Sequence, residues 1–176
     1  ALSSFFKGIN DLSQNPENMS IRSTFLENAN TLTDTFRRIV NELDQMKTFI
    51  KQSIENKLSD VNTITTNIAN INKQIASLKI KGIESNDLLD KREALLHDLS
   101  KLTHITVNTQ NNGMVDVMTP GGSLVSGTNV KKLTFDIDTS GTLSITDSDK
   151  MSKYTFKTGE IKALQDFYNT TIVNYD

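Results

Sequence analysis

The sequence predicts a mainly α fold with a small antiparallel β module (α+β), arranged as an elongated helical bundle with a coiled-coil core. Three observations predict it. Apolar residues recur every three or four positions from Phe25 to Leu78. No Pro or Gly interrupts residues 17–81. After Leu102 the period of the apolar positions changes from 3.6 to 2.

The elements follow in order. Leu2, Phe5, Phe6, Ile9 and Leu12 recur at helical spacing and predict a short first helix. The "NPE" at 15–17 then offers Asn15 as a cap and Pro16 as the first helical residue of a second, long helix over about 17–81. Its stripe runs Leu32, Phe36, Ile39, Leu43, Met46, Ile50, Ile54, Leu58, Val61, Ile64, Ile68, Ile71, Ile75, Leu78. Two consecutive four-residue steps between Ile50 and Leu58 predict a bend or a local unwinding. A helix of this length cannot bury its stripe alone, so it needs partner helices.

Lys79, Lys81 and Gly82 are a helix-ending combination: cations over the C-terminal carbonyls, and Gly for the left-handed stop. A return helix over about 86–102 starts at Asn86, read as its cap, with Asp87 and Asp90 in the first turns. Leu88, Leu89, Leu95, Leu96, Leu99 and Leu102 gather on one face, while Asp90, Glu93, His97 and Lys101 point away. Arg92 falls inside the leucine stripe. A charge placed there needs a partner for its head; Arg92 should face the long helix near Asn70 to Gln74, and no carboxylate occurs between Asp60 and Glu84. Arg92 is therefore expected to act as a structural tie, bonding main-chain carbonyls, Asn or Gln oxygens, or a carboxylate of the terminal helix such as Glu160 or Asp166.

The β region spans about 104–157. "HITVNTQNNGMVDVM" alternates on both sides of Asn112-Gly113, the strongest short hairpin signal. "TPGGSLVSG" turns and adds a strand, and "KKLTFDI", "GTLSIT" and "KYTFK" continue the alternation between turns. A terminal helix over about 159–175 follows, with Ile161, Leu164, Tyr168, Ile172 and Tyr175 at helical spacing. Three parts result: a helical core over 1–103, the β module over 104–157, and a helix at 158–176 that returns to the core.

Composition narrows the function. With 19 basic and 21 acidic residues the net charge is -2, so no electrostatic footprint for nucleic acid or an anionic membrane exists. No apolar run reaches membrane-spanning length and no signal peptide opens the chain. The absence of cysteine removes disulfides, thiolate catalysis and Cys-based zinc sites. His97 and His104 lack companions for a metal set, and no cofactor site is expected. Asp136 with Asp138 on one strand face, and Asp147 with Asp149 in a turn, could serve acid–base work or calcium; without a nucleophile or spaced loop ligands they read as solvated carboxylates. "PGGSLVSG" lacks the Lys-Ser/Thr ending of a phosphate loop and reads as a turn. No enzymatic constellation remains. The chain lacks an initiator Met and stops inside a helical pattern, which reads as a fragment.

The segments "FFKGINDLSQNPENMSIRSTFLENANTLTDTF", "VNTITTNIANINKQIASL", "NDLLDKREALLHDLSKLTHITV", "NGMVDV" and "GGSLVSG" resemble, in order and spacing, the flagellar hook-associated protein 1 family. "LLDKRE" is similar to that family's "LLDQRD", and "TGEIKALQDFYNTTIVNY" to its "GGxLxGLxxxRD", with Phe167 or Tyr168 where the family more often has Arg. The resemblance implies a structural subunit of the bacterial flagellum at the hook–filament junction, a core fragment lacking the terminal assembly helices. It implies copies of itself in a ring, the hook protein and a second hook-associated junction protein as partners. It also implies an export chaperone acting through segments absent here, and export through the flagellar type III apparatus to the extracellular flagellum. The Asn/Thr-rich flank "NTITTNIANINKQ", with Asn62, Thr66, Asn67, Asn70 and Lys73, is the candidate intersubunit contact. The competing class is a secreted coiled-coil binding module or adhesin stalk.

Overall fold

The computed structural model describes residues 1–172. In chain order these form helices α1 (Leu2–Gln14), α2 (Met19–Ile80) and α3 (Asn86–Leu102), then strands β1 (Thr106–Thr109), β2 (Val115–Thr119), β3 (Gly122–Ser126), β4 (Asn129–Val130), β5 (Leu133–Ile137), β6 (Leu143–Asp147) and β7 (Lys153–Tyr154). Helix α4 (Glu160–Asp166) passes into a π-helical segment, Phe167–Ile172. Tyr175 of the expected terminal stripe lies outside the described residues. Residues 50–58 are helical throughout. Two compact units divide the chain, Ala1–Thr48 and Phe49 onward.

In the first unit α1 folds back on the opening turns of α2. The Phe5 and Phe25 ring centroids are 5.5 Å apart, and Asn28 Nδ2 donates to the Ser4 carbonyl. Gly8 is the buried residue of α1; a Cβ there would stand 3.3 Å from both the Phe25 ring and Asn28 Nδ2. The α2 cap is Asn18, not Asn15: Asn18 Oδ1 accepts from the backbone N–H of Ser20 and Ile21 at 3.0 and 3.3 Å. Pro16 sits ahead of the helix, with its carbonyl taking Arg22 Nε at 2.7 Å.

The second unit holds the core. Ile54, Val61 and Ile68 of α2, Leu99 of α3, Val117, Leu124, Val125, Leu143 and Ile145 of the strands, and Ile161 of α4 are all fully buried in one cluster. Each such side chain contributes about 1.5–3 kcal/mol relative to exposure. The turn after α2 closes as expected of Gly82: its φ is +70°, and Ile83 N–H donates to Leu78 O at 3.0 Å. Helix α3 is entered from Ser85 rather than capped by Asn86, because the Ser85 carbonyl takes the N–H groups of Leu88 and Leu89. Leu89 turns outward at 41 % exposure, whereas Leu99 and Leu102 are buried.

The β region consists of two antiparallel sheets, β1-β2-β3-β4 and β5-β6-β7. The first hairpin has register Thr109↔Val115, with Gln110 N–H on Met114 O and Gly113 at φ +85°. A bulge at Val117/Met118 shifts the β2–β3 register, from Val117↔Val125 to Met118↔Ser123. Gly159 sets the approach of α4: a Cβ there would lie 2.4 Å from the Leu102 carbonyl oxygen, so only Gly lets this turn close on the end of α3. Lys57 of α2 then pairs with Glu160 at 2.7 Å, and that hydrogen bond and charge push Lys57 above its ordinary value.

Candidate functional site

The polar chemistry of the interior converges on asparagine. Three amides, Asn72 and Asn62 on α2 and Asn169 in the π-helical segment, each grip the N–H and the C=O of a single strand residue. Asn72 takes Val115 N–H at 3.1 Å and donates to Val115 O at 2.8 Å. Asn62 takes Leu133 N–H at 2.8 Å and donates to Leu133 O at 2.9 Å. Asn169 takes Leu143 N–H at 2.8 Å and donates to Leu143 O at 2.9 Å.

A carboxamide carries a donor and an acceptor side by side, so it can stand in for the next strand. Each clamp occurs where that strand is missing. Val115 lies past the β2–β3 register, which begins at Val117↔Val125. Leu133 opens β5, an edge strand. Leu143 opens β6 beyond the reach of β7, which pairs with Ile145 and Thr146. Unpaired backbone groups buried at such places each cost about 1–3 kcal/mol, and the amides remove that cost.

Asn72 is fully buried and carries two further bonds: Nδ2 to Gly127 O at 2.7 Å, and Arg92 Nη1 to its Oδ1 at 3.1 Å. Both N–H groups and both lone pairs of the amide are thereby used. Arg92, buried on α3, also donates from Nη1 to Gly113 O at 2.7 Å. Burial pulls its pKa down, yet a guanidinium stays charged. Among the described residues no carboxylate pairs with it, so neutral oxygens of α2 and the β1–β2 hairpin hold the charge. Arg92 and Asn72 together join α2, α3 and the first sheet.

The flank read as an intersubunit surface divides. Thr66, Asn67, Asn70 and Lys73 are exposed, and Asn67 and Asn70 line a shallow groove with Lys91, Leu95 and Asp98 of α3. Asn62 is half-buried, its amide committed to Leu133 inside the chain, so it does not belong with the other four. Asn72 and Asn169 escaped sequence reasoning. The signal for Asn72 is the one that exposed Arg92: a polar residue standing on an apolar stripe, between Ile68 and Ile75.

The paired carboxylates are turn fasteners. Asp138 lies after β5, not on it; its Oδ1 accepts from Ser140 N–H, Ser140 Oγ and Thr142 N–H, which hold it below the usual carboxylate range. Asp147 ends β6 and is buried rather than solvated in a turn, because the loop after it wraps its carboxylate. Its Oδ1 accepts from Met151 N–H at 2.7 Å and Ser152 N–H at 3.1 Å, with Lys131 Nζ 3.8 Å from Oδ2. The Ser152 N–H is the main cause of its lowered pKa. Asp136 pairs with Lys150 at 2.8 Å, which lowers it too. His97 and His104 are exposed, and among the described residues no three His, Asp or Glu side chains group as metal ligands. No described helix is long and apolar enough to cross a membrane.

This geometry of long helix, return helix and clamped sheets can be set beside known proteins. The family model of the flagellar hook-associated protein FlgK helical domain matches residues 1–176. The chain belongs to the FlgK helical-domain family. Within that family, flagellar hook-associated protein 1 of Bacillus subtilis is 30 % identical over 112 residues, covering 64 % of this chain and 22 % of that protein. Flagellar hook-associated protein 1 of Salmonella typhimurium is 29 % identical over 136 residues, covering 76 % of this chain and 25 % of that protein. The chain thus spans about a quarter of the length of these FlgK-family relatives. The structure of the flagellar hook junction protein FlgK from Burkholderia pseudomallei superposes with a TM-score of 0.84 at 24 % identity, over 97 % of this chain and 33 % of that one, so the fold is shared.

Proposed function

We propose that this chain is the helical part of a structural subunit of the bacterial flagellum, joining hook to filament by lateral packing. Its partners are then copies of itself, the hook protein and a second hook-associated junction protein, after export through the flagellar type III apparatus with chaperone help. On this reading it catalyses nothing. The named relatives support the location in the flagellum, and one observation supports packing. Between Phe25 and Met46 the apolar residues of α2 keep a seven-residue repeat: Phe25, Leu32, Ile39 and Met46 interleave with Ala29, Phe36 and Leu43. A repeat of that period is a seam for another helix. Phe36, Ile39 and Met46 are nevertheless 56, 41 and 43 % exposed. The exposed amide flank Thr66, Asn67, Asn70 and Lys73 adds a polar, weakly charged surface that two subunits can share without charge repulsion.

The test introduces Phe36→Glu with Ile39→Glu in one variant and Asn67→Arg with Asn70→Arg in another, each in the complete gene product. Both variants should abolish filament attachment and motility while the purified protein keeps its melting temperature. Normal swimming by both would sink the proposal.

A further inference from the structure

The hairpin that carries the Arg92 tie also carries the chain's one Asn-Gly step, Asn112-Gly113. We infer that Asn112 is a self-modification site, and that its conversion to isoaspartate releases the tie between the first sheet and α3. The reaction is the attack of the Gly113 backbone nitrogen on Asn112 Cγ. A nitrogen–carbon bond forms, the Cγ–Nδ2 bond breaks, and ammonia leaves with the proton from the Gly113 nitrogen. Water then opens the five-membered imide. Attack at the side-chain carbonyl gives aspartate, and attack at the main-chain carbonyl gives an isoaspartyl link, in which the chain runs through the former side chain.

The turn leaves the reacting amide open to water and places hydrogen-bond partners around it. Asn112 is exposed, so water reaches it. Its Oδ1 accepts Met114 N–H at 3.0 Å, a donor placed where negative charge develops when Cγ is attacked. Its Nδ2, the leaving nitrogen, donates to Gln110 Oε1 at 3.2 Å. Gly113 has no side chain to hinder the ring. Its own N–H donates to Gln110 O at 3.0 Å, a bond that must break as base removes the proton from the attacking nitrogen, so the reaction quickens as pH rises.

The consequence distinguishes this turn from an ordinary exposed hairpin. An isoaspartyl link adds one methylene to the main chain immediately before Gly113, whose carbonyl is held by Arg92. Lys79 Nζ donates to Asn111 O at 2.9 Å just before the link, and Asn72 grips Val115 just after it. Three anchors therefore fix the chain on both sides of a segment that becomes too long.

The protein is incubated in mildly alkaline buffer at physiological temperature, beside an Asn112→Ser variant that cannot form the ring. Isoaspartate is read by protein isoaspartyl methyltransferase labelling and located by peptide mapping. The aspartyl and isoaspartyl products are separated and melted individually. Labelling should arise at Asn112, vanish in Asn112→Ser, and accelerate with pH; the isoaspartyl product should melt several degrees below the parent and the aspartyl product close to it. Absence of label at Asn112, while a peptide of the same turn is labelled, overturns the site. Equal melting of the two products, whether at the parent temperature or below it, overturns the release of the tie.

Discussion

The two stretches of α2 carry the same kind of apolar stripe and meet opposite fates. From Ile50 to Ile75 the stripe is buried, with Ile54, Val61 and Ile68 fully enclosed by strands and by α3. From Phe25 to Met46 it is more open: Phe36, Ile39 and Met46 on the stripe exceed 40 % exposure, as do Leu26, Val40 and Phe49 off it, while Phe25, Leu32 and Leu43 are half-buried. Periodicity specifies which side of a helix is apolar, but it does not specify what lies against that side. In the second stretch the same chain supplies the cover and polar clamps set its register. In the first unit the described cover is α1, which packs on the opening turns of α2.

The sharpest way to break this contrast is Asn72→Ala. It strips Val115, Gly127 and Arg92 of one shared partner inside the core, and denaturant unfolding should show a loss of about 3–5 kcal/mol. A loss under about 1 kcal/mol would mean that water replaces the amide. Next comes a matched pair on the stripe itself. Ile54→Ala should cost about 2–5 kcal/mol, because a cavity opens in the packed region. Ile39→Ala should change the isolated protein's stability by no more than about 0.5 kcal/mol. Equal costs would show that the first stretch is already covered.

Arg92→Lys is smaller. The ammonium is a point charge on a flexible stem and cannot reproduce the contacts of Nη1 with both Asn72 Oδ1 and Gly113 O, so about 1–3 kcal/mol should be lost in the same assay. Stability equal to the parent would remove Arg92 from the list of ties. The smallest effect concerns acid. The Asp147 carboxyl is held down by Ser152 and Met151 N–H groups, so its contribution is complete above the ordinary carboxylate value of about 3.9 and fades as pH falls through the lowered folded value. Asp147→Asn should flatten the acid limb of the stability–pH curve; an unchanged limb would assign acid sensitivity to other carboxylates.

Much of the fold was legible. The helix-to-strand change after Leu102, the Gly82 stop and the Asn112-Gly113 hairpin follow from rules that act over a few residues, and they stand in the structure. Two caps were misplaced by one to three positions, since Ser, Asn and Pro are crowded at 13–20 and 85–86 and several can serve the same end. The conflict at Arg92, a charge on a leucine face, was visible from spacing alone. Its partners were not, because Gly113 is distant in sequence and Asn72 is one of many asparagines. Asn62 shows the same difficulty from the other side: on the helix it resembles Asn67 and Asn70, and only the position of β5 gives it a different role.

The sequence by itself determined which residues share a face, where the period changes and which turns need glycine, since these depend on φ, ψ and side-chain alternation along a few neighbouring residues. The tertiary structure decided which half of the stripe is covered and which asparagines complete the sheets. Those outcomes depend on where a strand ends in space, and an amide pairs with whatever backbone that ending leaves unpaired.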